Sequence, residues 1–169
     1  MSVHLQRDVG KLKQQILAMS ADVENEVRTA VRAIEQRDAE LARQVIEREE
    51  QTNLSEVDVE DNCLKILALH QPVAADLRYI IAVLKINQAL ERIGDLAVHI
   101  AKRGLFLCEQ PAVNIPFRLG EMADKSQAML KKVLDAFVNL MTRPRTKSAP
   151  PTARLTQLTG TFFNRSKKR

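Results

Sequence analysis

Apolar side chains return every three or four residues through most of this chain, the spacing that places them on one face of an α-helix. From Val3 to Gln36 the positions Leu5, Val9, Leu12, Ile16, Met19, Val23, Val27, Ala30 and Ile34 keep that step throughout. At 1.5 Å per residue the stretch predicts a helix of about 50 Å, longer than most globular helices and ordinary for a bundle. Arg37 and Asp38 interrupt it, and Asp38 is suited to capping the next helix. A second helix is predicted from Ala39 to about Leu69, with Ile46, Glu49, Asn53, Glu56, Glu60, Cys63 and Leu67 on one face, so that its middle is acidic. His70, Gln71 and Pro72 read as a turn, because proline disfavours helix in the residue before it and can itself open a new helix.

The third helix is predicted from Pro72 to Cys108. Leu77, Ile81, Leu84, Gln88, Glu91, Asp95 and Val98 share one face of it, so an apolar stripe leads straight into acid. Short connections make successive helices antiparallel neighbours, giving an up-down-up bundle. Residues 109–116 carry two prolines and read as an extended linker. From Phe117 to about Leu140 a helical pattern resumes through Leu119, Met122, Met129, Val133 and Phe137. Met129, Val133 and Phe137 repeat Met19, Val23 and Val27 at a constant offset of 110, the mark of a second copy beginning. After Met141 the period fails amid three prolines and no acid. The expected fold class is therefore all-α. It comprises an antiparallel three-helix bundle over residues 1–108, a linker over 109–116, a fourth helix over 117–140 and a disordered basic tail over 141–169.

Composition supports that class, with five glycines and 4% aromatic residues in 169, too few turn and strand formers for a sandwich or barrel. The formal charge of +5 invites a nucleic-acid reading until it is located. Eight of the 26 basic residues fall in residues 142–169, which hold no acid, so the first 141 residues carry 18 basic against 21 acidic residues, a net charge of −3. Nucleic acid is thus an unpromising partner for the bundle. No stretch resembles a signal peptide or an apolar span long enough for a bilayer, and the chain reads as cytoplasmic. Cys63 and Cys108 lack metal-finger spacing and read as reduced thiols.

Carboxylates four residues apart on a helix point the same way, so Glu56 with Glu60 and Glu91 with Asp95 form two candidate pairs of hard oxygen donors. His99, four beyond Asp95, adds a nitrogen to the set. The bland alternative, a solvated acidic face with Glu91 paired to Arg78 or Arg92, is favoured by spacing alone. Counted from Gln71, Glu56 and Glu60 stand 15 and 11 residues before the turn while Glu91 and Asp95 stand 20 and 24 after it. The two levels therefore meet only if the helices are staggered or the turn is longer. A di-iron enzyme would need Glu-x-x-His steps that are absent, and no phosphate-cradling loop or nucleophile elbow occurs. A non-enzymatic protein is expected.

The run from Asp38 to Ile100, with QPVAADLR at the turn and LERIGD in the third helix, resembles the PhoU family of phosphate-signalling regulators over about residues 8–140. The resemblance implies paired three-helix bundles whose E/D-x-x-x-D motifs bind metal in some members. Carried over, the motif falls on Glu56, Glu60, Glu91 and Asp95, with Glu60 where Asp is commoner, and implies Fe, Zn, Mn or Mg as candidate ions. It also implies a negative regulator of the phosphate-starvation response, an adaptor between a phosphate ABC transporter ATPase and a PhoR-like sensor histidine kinase, working as a homodimer. Two other readings remain open: a metal-dependent helical-bundle enzyme, and nucleic-acid binding through the basic tail.

The second repeat breaks off after its first helix. A helical protein that turns Pro-, Thr- and Arg-rich at Leu140 is expected to owe its tail to a shifted reading frame. Translating the gene in its other frames past residue 140 checks this: a second ERIGD-like helix downstream is the expected result, and stop codons in every alternative frame contradict it.

Overall fold

The computed structural model describes residues 3–111 and 118–142. Five helices account for them: α1 (Val3–Gln36), α2 (Ala39–Glu47), α3 (Glu49–His70), α4 (Ala75–Cys108) and α5 (Leu119–Thr142), with no strand among the described residues. Of the expected tail, 141–169, the first two residues belong to α5; the rest, and most of the expected linker with Phe117, lie outside the described residues. The chain forms two compact units, Met1–Leu130 and Lys131–Arg169, with the boundary inside α5.

The first unit is the up-down-up bundle that the periodicity predicts. Three polar pairs join α1 to α3: Asp8 with His70, Gln15 with Asn62 and Glu26 with Thr52. As the first number of each pair rises the second falls, so the helices run antiparallel. Helix α4 returns parallel to α1. Gly94 lies against Val23 and Glu26, and Gly104 against Ile34, the same offset of about 70 positions at both levels.

Each turn is capped by chemistry visible in the sequence. Arg37 ends α1 in the left-handed region at φ 52°, and the Asp38 carboxylate then accepts from the amides of Glu40 at 2.9 Å and Leu41 at 3.1 Å. That side-chain cap is worth about 1 kcal/mol against alanine. The Arg37 guanidinium reaches across to donate to the carbonyls of Leu107, in the last turn of α4, and Gln110, just past its end. Gln71, left-handed at φ 42°, closes α3 by donating its amide to Leu67. Helix α4 then begins at Ala75, three residues past the proline expected to open it.

The single second helix expected from Ala39 to Leu69 is in fact two. The ladder lapses at Arg48, whose amide turns back to Val45 at 3.3 Å, a tightened turn that re-aims the helix. Above the break, α2 packs its Ala42 and Val45 on Ala30 and Ala33 of α1 and on Ala97, Val98 and Ala101 of α4. Small residues at this end let the helices approach closely. Below it, α3 buries Val59, Cys63 and Ile66, α1 buries Leu5, Val9, Leu12 and Ile16, and α4 buries Ile80 and Val83. Large apolar side chains buried this fully contribute about 1.5–3 kcal/mol each before the entropic cost of ordering them.

Two expected faces need correction. On α4 the buried positions are Ile80, Val83, Asn87, Leu90, Gly94, Ala97, Val98, Ala101 and Gly104, so of the expected face Val98 alone is fully buried, whereas Leu77 and Ile81 are 40% and 41% exposed and Gln88 faces solvent. The stripe that runs into Glu91 and Asp95 is therefore a flank of the helix, not its core. Both tracks step by three and four, and only contact with α1 selects the one rich in small residues. Over the expected second helix the buried positions are likewise Ala42, Val45, Thr52, Val59, Cys63 and Ile66, so of the expected face Cys63 alone is fully buried.

Within the first unit, the start of α5 is held to α1. The Glu35 carboxylate accepts from the Gly120 amide at 2.9 Å, favourable at a helix N-terminus, and Gln127 donates to the Glu24 carbonyl at 2.8 Å. In the second unit Leu134 and Phe137 are buried. Of the face expected on this helix Phe137 is thus buried, while Met122 and Met129 are 60% and 42% exposed.

Two glycines report on how close α1 and α4 come. A Cβ at Gly104 would stand 3.1 Å from Ile34 Cγ1 and 3.6 Å from the Ile34 amide nitrogen, whereas one at Gly10 would meet nothing within 4 Å. Alanine at exposed Gly10 is expected to stabilise the fold by up to about 1 kcal/mol through helix propensity. Alanine at Gly104 is expected to destabilise by about 1–2 kcal/mol, since overpacking against the Ile34 side chain, itself held between α1 and α4, outweighs the same gain. Urea unfolding of the two variants checks the opposite signs.

Candidate functional site

Glu56 on α3 and Glu91 and Asp95 on α4 stand half-buried on neighbouring flanks of the two helices. The turn explains how they meet. Residues 71–74 are all non-helical, so the connection is longer than the sequence suggests. Counted outward from its middle, Glu56 falls opposite position 89, between Asn87 and Glu91. Asn87 confirms that level directly, donating its Nδ2 to the Glu56 carbonyl at 2.8 Å.

The electrostatics agree with the geometry. Glu91 is held above the ordinary carboxylate range by burial first, then by the charge of Asp95 and a hydrogen bond shared with it, then by the charge of Glu56; Arg92 opposes them weakly. Like charges this close cannot all ionise freely, so the cluster favours a proton or a cation. Glu60 is not among the charges that act on Glu91. It is exposed, and by the same count it falls opposite Lys85, on the connection side; its charge adds to burial in pushing the Cys63 thiol up to about 11. Cys63 and Cys108 are free thiols, and Cys63 fills the core as expected. His99 is exposed.

Among the described residues, no three of His, Cys, Asp and Glu already stand arranged around one point as metal ligands. The donor set nonetheless suits a hard cation, with three carboxylates whose mutual repulsion an ion would relieve. Asn87 is 1% exposed, and its Oδ1 is a buried acceptor with no hydrogen-bond partner among the described residues.

Sequence reasoning passed over a second acid. Glu26 on α1 is only 2% exposed, accepts a 2.7 Å hydrogen bond from Thr52 Oγ1 and keeps Oε2 without a partner among the described residues. It borders a cleft of about 260 Å³ between α1 and α3, which Asp22, Arg48, Gln51 and Ser55 also line. Gly94 makes room for it from α4: a Cβ there would come within 3.3 Å of Thr52 Cγ2 and 3.4 Å of Glu26 Oε2. The signal was present, because Ile16, Met19, Val23, Glu26, Ala30 and Ala33 step by three and four through the buried face. Acid does continue a core stripe here, on α1 rather than α4.

An all-helical bundle with a carboxylate cluster set between two of its helices is thus the class that fold and site define. Residues 16–104 match the PhoU domain, and the chain belongs to the PhoU family. A relative from Pseudomonas putida, a phosphate-specific transport system accessory protein PhoU homolog, is 40% identical over 133 residues, covering 77% of this chain and 51% of the relative. The crystal structure of PhoU from Pseudomonas aeruginosa superposes with a TM-score of 0.75 at 36% identity, over 79% of this chain and 65% of that one. The phosphate transport system regulatory protein PhoU from Streptococcus pneumoniae gives 0.70 at 30% identity, over 78% of this chain and 62% of that one. The chain spans about half the length of the curated relatives it matches. These names are those of accessory and regulatory proteins rather than enzymes. No described helix is long and apolar enough to cross a membrane.

Burial raises the affinity of Glu26 for its proton, and the charge of Asp22 adds to this against the Thr52 bond and Arg48. The folded state therefore binds more proton than the unfolded state, and stability falls as pH rises from the ordinary carboxylate value near 4.5 through the raised one. Glu26→Gln removes that slope. It is expected to stabilise by about 1–3 kcal/mol at pH 8, where the wild type holds a buried charge, with little gain at pH 4. Thermal unfolding across pH checks this; a variant less stable than wild type at pH 8 contradicts it.

Proposed function

We propose that this chain is a negative regulator of the phosphate-starvation response. Its bundle serves as an adaptor between a phosphate ABC transporter ATPase and a PhoR-like sensor histidine kinase, acting in the cytoplasm as a homodimer. The observation that carries the reading is the match to the PhoU domain over the first bundle, together with relatives named for phosphate-specific transport. Because those relatives are about twice as long, the role claimed is that of the α1–α4 bundle.

The acidic site gives the adaptor a metal-capable element. Glu56, Glu91 and Asp95 would hold the ion, with Glu60 one turn further along α3, and Fe, Zn, Mn and Mg all suit oxygen donors of this kind. A bound ion supplies positive charge between the helices. The chain's own part is to hold the carboxylates at one level, to keep Glu91 half-desolvated and to tie α3 to α4 at the flank where a partner reads them.

Deleting the gene, or changing Arg92 or Asp95, is expected to raise alkaline phosphatase output in phosphate-rich medium. Unchanged output in a strain with no full-length PhoU homologue contradicts the regulatory reading. For the metal, elemental analysis after growth in iron or zinc is expected to find bound ion. Melting should also rise on adding the ion, by an amount equivalent to about 2.7 kcal/mol at a hundredfold excess over the dissociation constant. Absence of both results contradicts it.

A further inference from the structure

Asn87 is out of place by the logic of its own helix. Every other fully buried position of α4, from Ile80 through Gly104, is apolar or glycine, and these positions pack against α1, α2 and α3. Packing alone would be served by leucine. The amide makes one hydrogen bond, from Nδ2 to the Glu56 carbonyl at 2.8 Å, and its Oδ1 stays buried with no partner among the described residues. One bond gained against one acceptor left unmet makes the residue a poor source of stability, since an unpaired buried oxygen loses its water without replacement.

What the bond does supply is register. The α3–α4 connection is non-helical over residues 71–74, with left-handed Gln71 and a positive φ at Ala74, so it limits the stagger of the two helices without fixing it. The apolar contacts of Val59, Cys63, Val83 and Leu90 are non-directional. A single polar residue in an apolar helix interface can select one register at some cost in stability. Asn87 sits one helical turn before Glu91, and its partner is the backbone of Glu56 itself. The one directional contact between the core faces of α3 and α4 at this level, among the described residues, therefore joins the two residues whose relative height decides whether Glu56 faces Glu91 and Asp95.

We propose that Asn87 is the positioning residue of the acidic site, pinning α3 to α4 so that the Glu56 carboxylate stands level with those of Glu91 and Asp95. The proposal rests on the metal-capable reading of that site for its consequence, and on the hydrogen bond for its cause. Asn87→Leu keeps the volume and the apolar contacts and removes only the directional bond.

The test compares wild type, Asn87→Leu and the packing control Val83→Ala in thermal unfolding and in Mn²⁺ titration followed by electron paramagnetic resonance. A third measurement takes the distance between spin labels at Leu54→Cys and Leu96→Cys, both exposed sites, with Cys108→Ser to remove the accessible thiol. Asn87→Leu is expected to melt within a few degrees of wild type, to bind Mn²⁺ about tenfold more weakly and to shift or broaden the interspin distribution. Val83→Ala should melt well below wild type with Mn²⁺ affinity and distance retained. Unaltered Mn²⁺ affinity and distance in Asn87→Leu overturn the proposal, as does a variant whose three readouts fall together like a core lesion. If wild type takes up no Mn²⁺, the metal reading fails. The distance measurement then decides the positioning role by itself, a shifted distribution supporting it and an unchanged one overturning it.

Discussion

The height of α3 against α4 is the constraint on which the rest of this structure depends. Helices joined by a short connection are antiparallel neighbours whatever their sequence, but which side chains face each other across the seam changes with every residue added to the turn. Here residues 71–74 limit the stagger, positive φ at Gln71 and Ala74 absorbs the reversal, and the Asn87 bond to Glu56 locks the level. The charge of Glu56 acts on Glu91 because of that height. Moved by one turn, about 5.4 Å, Glu56 would face a different stretch of α4 and Glu91 would lose the neighbour that raises its proton affinity.

A second theme is the use of small residues where helices converge. Ala30, Ala33, Ala97 and Ala101 let α1, α2 and α4 close together, and Gly94 and Gly104 admit groups that a methyl would displace. Gly94 is the more telling of the two. It lies between Glu91 and Asp95 in sequence and turns onto Glu26 and Thr52, so the LERIGD segment shapes a buried polar contact with its core side and presents acid on the adjoining flank. The two acidic features of the bundle thus share a single turn of α4.

How much of this was legible in the sequence depends on what periodicity can and cannot resolve. Helix α1 was readable along its whole length, and Asp38 as a cap, because both are local effects. The bundle followed from connection length. The break at Arg48 was not readable, since nothing in ELARQVIEREEQ forbids helix, and α2 and α3 pack on different stretches of the same two helices, α1 and α4. The buried face of α4 was misread because two tracks, one through Leu77, Ile81 and Leu84 and one through Ile80, Val83 and Leu90, are equally apolar near the turn. The better guide was Gly94, Ala97, Ala101 and Gly104, small residues that mark close approach. Glu26 was overlooked although it occupies a core position of α1, and Glu60, grouped with Glu56 on i, i+4 spacing, is exposed and acts on Cys63. The resemblance to the PhoU family was carried by motif, and the domain match upholds it.

The central claim is that Glu56, Glu91 and Asp95 form one electrostatic unit across the α3–α4 seam. Carboxyl-carbon nuclear magnetic resonance titration of Glu91, in wild type and in Glu56→Gln, tests it most directly. The account requires Glu91 to titrate above the ordinary carboxylate range in wild type and to move down when the charge at position 56 is removed, with the fold unchanged. An ordinary Glu91 titration that is indifferent to Glu56→Gln would contradict it.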